Sequence, residues 1–148
     1  MATRGGYLVA TDFSPASRRA LSAARALARK SGALLTLVHV RPSSDARAAV
    51  AEERGDLFRG PAGSLKAKLD EHYARRLGAL AAPGERTLLL AGAPDLALCR
   101  QASRGYDLVI LGNRGRGAVS ALFLGTIAQR VLARSPIPVL VVPSRRRR

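Results

Sequence analysis

The chain has 148 residues, of which 47% are apolar, and 25 Lys and Arg against 10 Asp and Glu give a formal net charge of +15. This length fits one domain, and this composition excludes a disordered or collagen-like chain. The single cysteine excludes an intramolecular disulfide or a cysteine-rich zinc site, and no apolar run reaches the roughly 18 residues of a membrane helix.

Strands and helices are predicted to alternate along the chain. A short apolar run at 7–10 indicates a strand, and Ser14-Pro15 opens a helix whose apolar residues recur over 17–30 before a stop at Gly32. The nearly continuous apolar run over 33–40 is typical of a strand buried on both faces. Further helices are predicted over 64–81, from 94 to about 104 and over 126–133. Further strands are predicted over 86–91, 107–111 and 139–142. The segment 41–63 is predicted to be the least ordered, since it is rich in Gly, Pro and Ser.

This alternation favours an α/β fold with a mostly parallel sheet, in a single domain over 1–144 followed by a basic tail over 145–148. Ligands of open α/β sheets bind beyond the carboxyl ends of the strands. Asp12 follows the first predicted strand, Val40 ends the second, and a glycine-rich loop over 112–117 follows the fourth. We therefore expect a ligand site where these segments meet.

The loop and the helix after it have the chemistry of an anion site. Glycines let the main chain approach a phosphate, and Gly125-Thr126 at a helix start adds free N–H groups and a hydroxyl. Arg114 and Arg116 could neutralise phosphate charge, while Asp12 suits a sugar hydroxyl or a base amino group. The spacing is neither a Walker motif nor a dinucleotide fingerprint, so a tight turn with helix capping remains an equal alternative.

At this point the chain resembles the universal stress protein family. Nucleotide-binding members of that family carry Gly-x-x-Gly, nine residues, and then Gly-Ser/Thr. Here Gly112 and Gly115 are followed by nine residues and then by Gly125-Thr126, whereas Gly117-Ala118 replaces the Ser-Gly of many members. The segments 10–14, 37–40 and 138–142 also resemble strand segments of the family. The segment 41–84 resembles the family only in its general layout.

The resemblance implies a Rossmann-like fold, with an open five-stranded parallel sheet of order 3-2-1-4-5 and helices on both faces. It also implies a homodimer through the last strand, Val139 to Val142, and ATP as the ligand, with Mg²⁺ on the phosphates. The implied role is a nucleotide-dependent stress-response switch or sensor with at most slow ATP hydrolysis. The implied contacts are Asp12 and Val40 for adenine and ribose, Gly112, Gly115, Gly125 and Thr126 for phosphates, and Ala10, Leu111 and Ile127 for the pocket lining, with Arg114 and Arg116 added on charge.

The net charge leaves a second function open. A basic module could bind nucleic acid or an acidic protein, with a vestigial nucleotide site. The basic residues are nearly all Arg, and Ala, Gly and Leu are abundant. A GC-rich genome would also produce this composition. Four of the positive charges fall in the segment 145–148. Nucleic acid is therefore the less favoured partner, and a purely structural dimer is a third alternative.

Other reactive side chains indicate packing rather than chemistry. His39 lies within an apolar run, which indicates a hydrogen-bonded core histidine and not a catalyst. Cys99 falls at an apolar helical position, as a small buried hydrophobe would. No catalytic constellation or metal-ligand set is evident, and the lack of a leader or membrane segment predicts a cytoplasmic protein without membrane contact.

Overall fold

The computed structural model describes residues 5–41, 62–114 and 124–144, with side chains from residue 66 onward in the second range. Strands and helices alternate along these residues as predicted, and their ends differ from the predictions by at most two residues. The elements are β1 (Gly6–Ala10), α1 (Pro15–Ser31), β2 (Leu34–Arg41), α2 (Ala62–Leu80), β3 (Arg86–Ala91), α3 (Pro94–Ala102), β4 (Leu108–Gly112), α4 (Thr126–Arg134) and β5 (Val139–Val142).

The five strands form one parallel sheet in the order β3-β2-β1-β4-β5, which confirms the predicted α/β fold and strand order. β1 is central, and its Val9 lies in register with Leu37 of β2 and Ile110 of β4. From β1 the chain first builds outward through β2 and β3 and then returns to β4 on the other side. The order therefore reverses between β1 and β4, and this switch point is where open α/β sheets bind ligands.

Alternate strand residues face two separate hydrophobic clusters, because successive side chains of a strand point to opposite faces. Val9, Leu37 and Ile110 pack with α1 and α2 on one face, and Leu8 and Val109 pack with α3 and α4 on the other. All five side chains are fully buried. Cover on both faces explains why the strand sequences are nearly continuous apolar runs.

The α1 helix begins and ends at the capping residues that the sequence predicts. Ser14 is the N-cap, and its hydroxyl accepts from the Ser17 N–H at 3.2 Å. Gly32 ends the helix in the left-handed region at φ 75°, and its N–H donates to the Ala28 carbonyl at 2.8 Å. Both signals are local, which is why the sequence alone places them.

An ion pair connects α1 to the turn before β3. Arg25 Nε and Nη2 donate to the two carboxylate oxygens of Glu85 at 2.7 and 2.8 Å, and Nη2 also donates to the Leu80 carbonyl. The Ala82 N–H donates to the same carboxylate at 2.8 Å. The hydrogen bonds from Arg25 lower the pKa of the Glu85 carboxyl, and they raise the pKa of the Arg25 guanidinium.

Replacing Glu85 by glutamine is expected to destabilise the protein by about 1 kcal/mol at neutral pH, because Arg25 loses its counter-ion. A carboxyl with a lower pKa in the folded than in the unfolded protein binds fewer protons when folded. The contribution of this carboxyl to the free energy of unfolding is complete above the ordinary glutamate pKa of about 4.3, and it is lost as the pH falls through the pKa of Glu85 in the folded protein. Urea unfolding of both proteins should show their difference shrinking below about pH 4. A constant difference across that range would contradict the assignment.

None of the helices in the described part of the chain is long and apolar enough to span a membrane.

Candidate functional site

The predicted site residues that the structure describes gather at one edge of the sheet. Ala10, Val40 and Leu111 stand at or next to the carboxyl ends of β1, β2 and β4, and all three pack on the face covered by α3 and α4. Val40 and Leu111 are buried and Ala10 is half-buried. Gly115 and Arg116 lie outside the described residues. The edge is thus lined by apolar side chains at the switch point, and Ala10 is the most exposed of the three.

The turn between β1 and α1 carries Asp12, which is half-buried. Its Oδ1 accepts from the Ser14 N–H at 3.0 Å. The N-cap of α1 is Ser14, so Asp12 shapes the turn before the helix and is not itself the cap. A ligand contact by Asp12 stays a prediction, and this turn is the element that would orient it.

Asn113, directly after β4, links three elements of this edge. Its N–H donates to the Val142 carbonyl at 3.1 Å, and its carbonyl accepts from the Gly125 N–H at 2.7 Å. Its side-chain Oδ1 accepts from the Ser144 N–H at 3.0 Å. Asn113 is not among the predicted site residues, although a polar amide between a buried strand and a glycine-rich loop is a signal in the sequence that indicates such a role.

The N-terminus of α4 lacks a side-chain cap among the described residues, in contrast to α1. Gly125 is the N-cap, and the first helical hydrogen bond runs from the Gln129 N–H to the Gly125 carbonyl at 3.0 Å. Thr126 and Ile127 are exposed, and the first turn of α4 contains no acidic residue. The N–H groups before Gln129 and the positive helix end therefore suit an anion.

Arg114 lies between the end of β4 and the end of β5. Its Nε and Nη2 both donate to the Ser144 hydroxyl, at 3.2 and 2.5 Å. A hydroxyl is a neutral partner, and a phosphate would make stronger, charge-assisted hydrogen bonds with the same guanidinium. Arg114 is thus placed at the predicted edge with a partner that an anion could replace.

Gly112 has a packing role in addition to the phosphate role that the resemblance implies. A Cβ at this position would lie 2.9 Å from the carbonyl carbon and oxygen of Ala16, in the first turn of α1. The end of β4 therefore contacts the α1 backbone so closely that only glycine fits without a shift.

A Gly112→Ala variant is expected to lose about 1–2 kcal/mol of stability, because the main chain of α1 must move. The matched control is Gly78→Ala, an exposed helical position in α2 where nothing lies within 4 Å of an added Cβ. That substitution should stabilise the protein by about 0.5–1 kcal/mol. Thermal or urea unfolding of the two variants should give opposite signs, and a neutral Gly112→Ala variant would contradict the close approach.

A second ion pair connects α3 and α4. Asp95 is 3% exposed, and its Oδ2 accepts from Arg134 Nη1 at 2.6 Å. Burial first, and then the Asp95 carboxylate, raise the pKa of the Cys99 thiol, while Arg134 acts in the opposite direction. Cys99 packs against the α3–α4 cluster as the sequence predicts, but it is half-buried and not fully buried.

An open parallel sheet with this strand order defines a doubly wound α/β protein, a class of protein whose ligands bind at the carboxyl edge of the sheet. The model of the Universal stress protein family matches residues 7–143 of the chain. The chain therefore belongs to the universal stress protein family.

Three individual proteins are similar to this chain over nearly its whole length. The Universal stress protein in QAH/OAS sulfhydrylase 3'region of Thermus aquaticus is 39% identical over 139 residues, covering 91% of this chain and 96% of its own. The structure of the hypothetical protein MJ0577 has a TM-score of 0.78 at 23% identity and covers 97% of this chain and 98% of its own. A universal stress protein solved in complex with cAMP has a TM-score of 0.59 at 29% identity, with 95% and 98% coverage.

Proposed function

We propose that this protein binds an adenine nucleotide, ATP in the first place, at the carboxyl edge of β1, β2 and β4. In this proposal it acts in the cytoplasm as a nucleotide-dependent switch or sensor in the stress response, with at most slow hydrolysis. The observation that supports it most is that one edge combines an apolar surface, a carboxylate and an uncapped helix N-terminus. These are complementary to a base, a ribose and a phosphate chain.

The base and ribose would lie over the apolar end of the site. Ala10 is half-buried beside the buried Val40 and Leu111, so a planar base would lie against apolar side chains of the kind that line small-molecule sites. Asp12 follows β1 directly, and its carboxylate can accept from ribose hydroxyls or from the adenine amino group.

The phosphates would lie at the start of α4. The Thr126 hydroxyl, the N–H groups of the first turn and the Arg114 guanidinium supply donors and positive charge there, and Gly115 and Arg116 are predicted to add to them. No group of three His, Cys, Asp or Glu side chains in the described ranges could hold a metal ion. Mg²⁺ would be held mainly by phosphate oxygens and water, ligands that it prefers, and the Thr126 hydroxyl at the start of α4 is an oxygen ligand of the same kind.

The relative solved with cAMP supports an adenine nucleotide as the ligand class, because this chain is 29% identical to it over nearly its whole length. A catalytic role for His39 is disfavoured, because its side chain is buried and its Nδ1 lies 2.7 Å from the Thr11 carbonyl oxygen. Its Nδ1 is thereby not available as a general base.

The proposal includes a homodimer through β5. This strand pairs with β4 along one side and is the last strand of the sheet, and Leu140 within it is 37% exposed. An apolar edge strand favours pairing with a second copy, which would cover it. Sedimentation of the purified protein tests this part independently of any ligand.

The test of the proposed function is mass spectrometry of nucleotide that co-purifies with the protein, followed by calorimetry with ATP and cAMP, with and without Mg²⁺. We expect saturable ATP binding, one nucleotide per chain, that Mg²⁺ strengthens. Binding of cAMP but not of ATP would support the proposed site for the base and would refute the proposed site for the phosphates. No binding of either nucleotide by folded protein would refute the proposal.

A further inference from the structure

Three aromatic rings pack together beneath the turn that carries Asp12. The Phe13 ring, in this turn, lies 4.8 Å from the ring of His39 in β2, and His39 lies 4.7 Å from Tyr73 of α2. The guanidinium of Arg76 stands 4.0 Å over the Phe13 ring. The cluster lies on the face covered by α1 and α2, opposite the face of Ala10, so it is not part of the predicted nucleotide pocket.

His39 also makes a polar contact with this turn. Its Nδ1 lies 2.7 Å from the Thr11 carbonyl oxygen, and because a carbonyl only accepts, Nδ1 carries the proton and donates. Both residues are buried, His39 at 8% and Thr11 at 6% exposure. A buried hydrogen bond of this kind is costly to lose, because the carbonyl would remain without its partner.

The other polar groups of Thr11 are also engaged. Its N–H donates to the Val38 carbonyl at 2.9 Å, and its hydroxyl accepts from the Phe13 N–H at 3.0 Å and bonds with the Ser17 hydroxyl at 3.1 Å. Thr11 is therefore fixed to β2 on one side and to α1 on the other, and Asp12 is the next residue.

The backbone on the other side of Asp12 is held in an unfavourable conformation. Phe13 has a φ of 64°, in the left-handed region that bulky residues rarely adopt. Such a conformation persists only where its surroundings determine it. Here the Phe13 ring packs on His39 and its N–H is bonded to Thr11, so His39 contacts the residues on both sides of Asp12.

We propose that His39 is a positioning residue for nucleotide binding: its hydrogen bond to Thr11 holds the β1–α1 turn and thereby sets the orientation of Asp12 toward the base and ribose. This inference rests on the proposed function. His39 acts through the turn and does not touch the nucleotide, and its effect is on affinity.

Two substitutions separate positioning from simple packing. His39→Asn retains an N–H donor close to the place of Nδ1 but removes the ring, whereas His39→Phe retains a ring but removes the donor. Both variants should lose stability, one through a cavity and the other through an unpaired carbonyl. Only the loss of the donor releases Thr11 and with it the turn.

The experiment measures ATP affinity by calorimetry at a temperature where circular dichroism shows every variant folded. We expect His39→Phe to bind ATP about tenfold more weakly, and His39→Asn to stay within about threefold of the wild type. The control is Leu37→Val, which reduces the packing of the hydrophobic cluster on the same face, from the same strand, and leaves the donor to the Thr11 carbonyl in place; it should leave the affinity unchanged.

If both His39 variants lose the same affinity for ATP, His39 contributes only through packing. The same conclusion follows if the loss of affinity is proportional to the loss of stability in all three variants. Unchanged affinity in His39→Phe would also overturn the inference while leaving the proposed function intact. If the wild type itself binds no ATP, the proposed function is wrong and this inference fails with it.

Discussion

A Gly125→Val variant is expected to keep its fold and to bind no measurable ATP. Gly125 has φ −63° and ψ 154°, an extended conformation that valine adopts readily, so the substitution does not strain the backbone. A branched side chain at this N-cap would stand before the first-turn N–H groups of α4, where the phosphates are proposed to bind. Calorimetry with ATP and Mg²⁺ measures the effect.

The variant needs a control because valine is also a poor N-cap and costs α4 about 1 kcal/mol. Ala133→Gly, at an exposed position near the other end of the same helix, costs a similar amount through helix propensity alone. It should bind ATP as the wild type does. If the valine variant also binds within about threefold of the wild type, the start of α4 is not the phosphate site.

An Asp70→Ala variant is expected to lose about 2–3 kcal/mol of stability, measured by urea unfolding. The Arg41 side chain is only 6% exposed, and its Nε and Nη2 donate to Asp70 Oδ1 at 3.0 and 2.8 Å. Without that carboxylate a buried guanidinium has lost its counter-ion. Asp70 itself is 39% exposed, so water can reach the pair and the cost stays below that of a fully buried one.

The second variant of this series is the double substitution Arg41→Met with Asp70→Ala. Methionine fills much of the same volume without a charge, so the double variant should be more stable than Asp70→Ala alone. Alanine is also a better helix former than aspartate, so a loss in the single variant does not arise from α2 itself. A double variant that is less stable than the single one would show that Arg41 contributes mainly through other contacts.

The elements were predictable because their signals are local. The apolar runs of β2 and β4 follow from burial on both faces, and the limits of α1 follow from Ser14 and Gly32. The segments that meet at the candidate site were also predictable, since the carboxyl ends of parallel strands share one edge. The strand order itself came from the family resemblance, and the structure confirms it.

The supporting contacts of the site could not be predicted in the same way. The bonds of His39 to Thr11 and of Arg41 to Asp70 span 28 and 29 positions, and they depend on how strands and helices cross. The close approach of Gly112 to Ala16 likewise follows from packing. From the sequence alone, Gly112 could be assigned only a role toward a ligand. Gly115 and Arg116 stay predictions because they lie outside the described residues.

The anchoring of Ser144 by Asn113 has a consequence for the end of the chain. Asn113 also holds the Gly125 N–H, so the chain leaves the sheet beside the start of α4. The segment after β5 and the N-cap residue of α4 are therefore coupled through one residue, and a displacement of either one acts directly on the other.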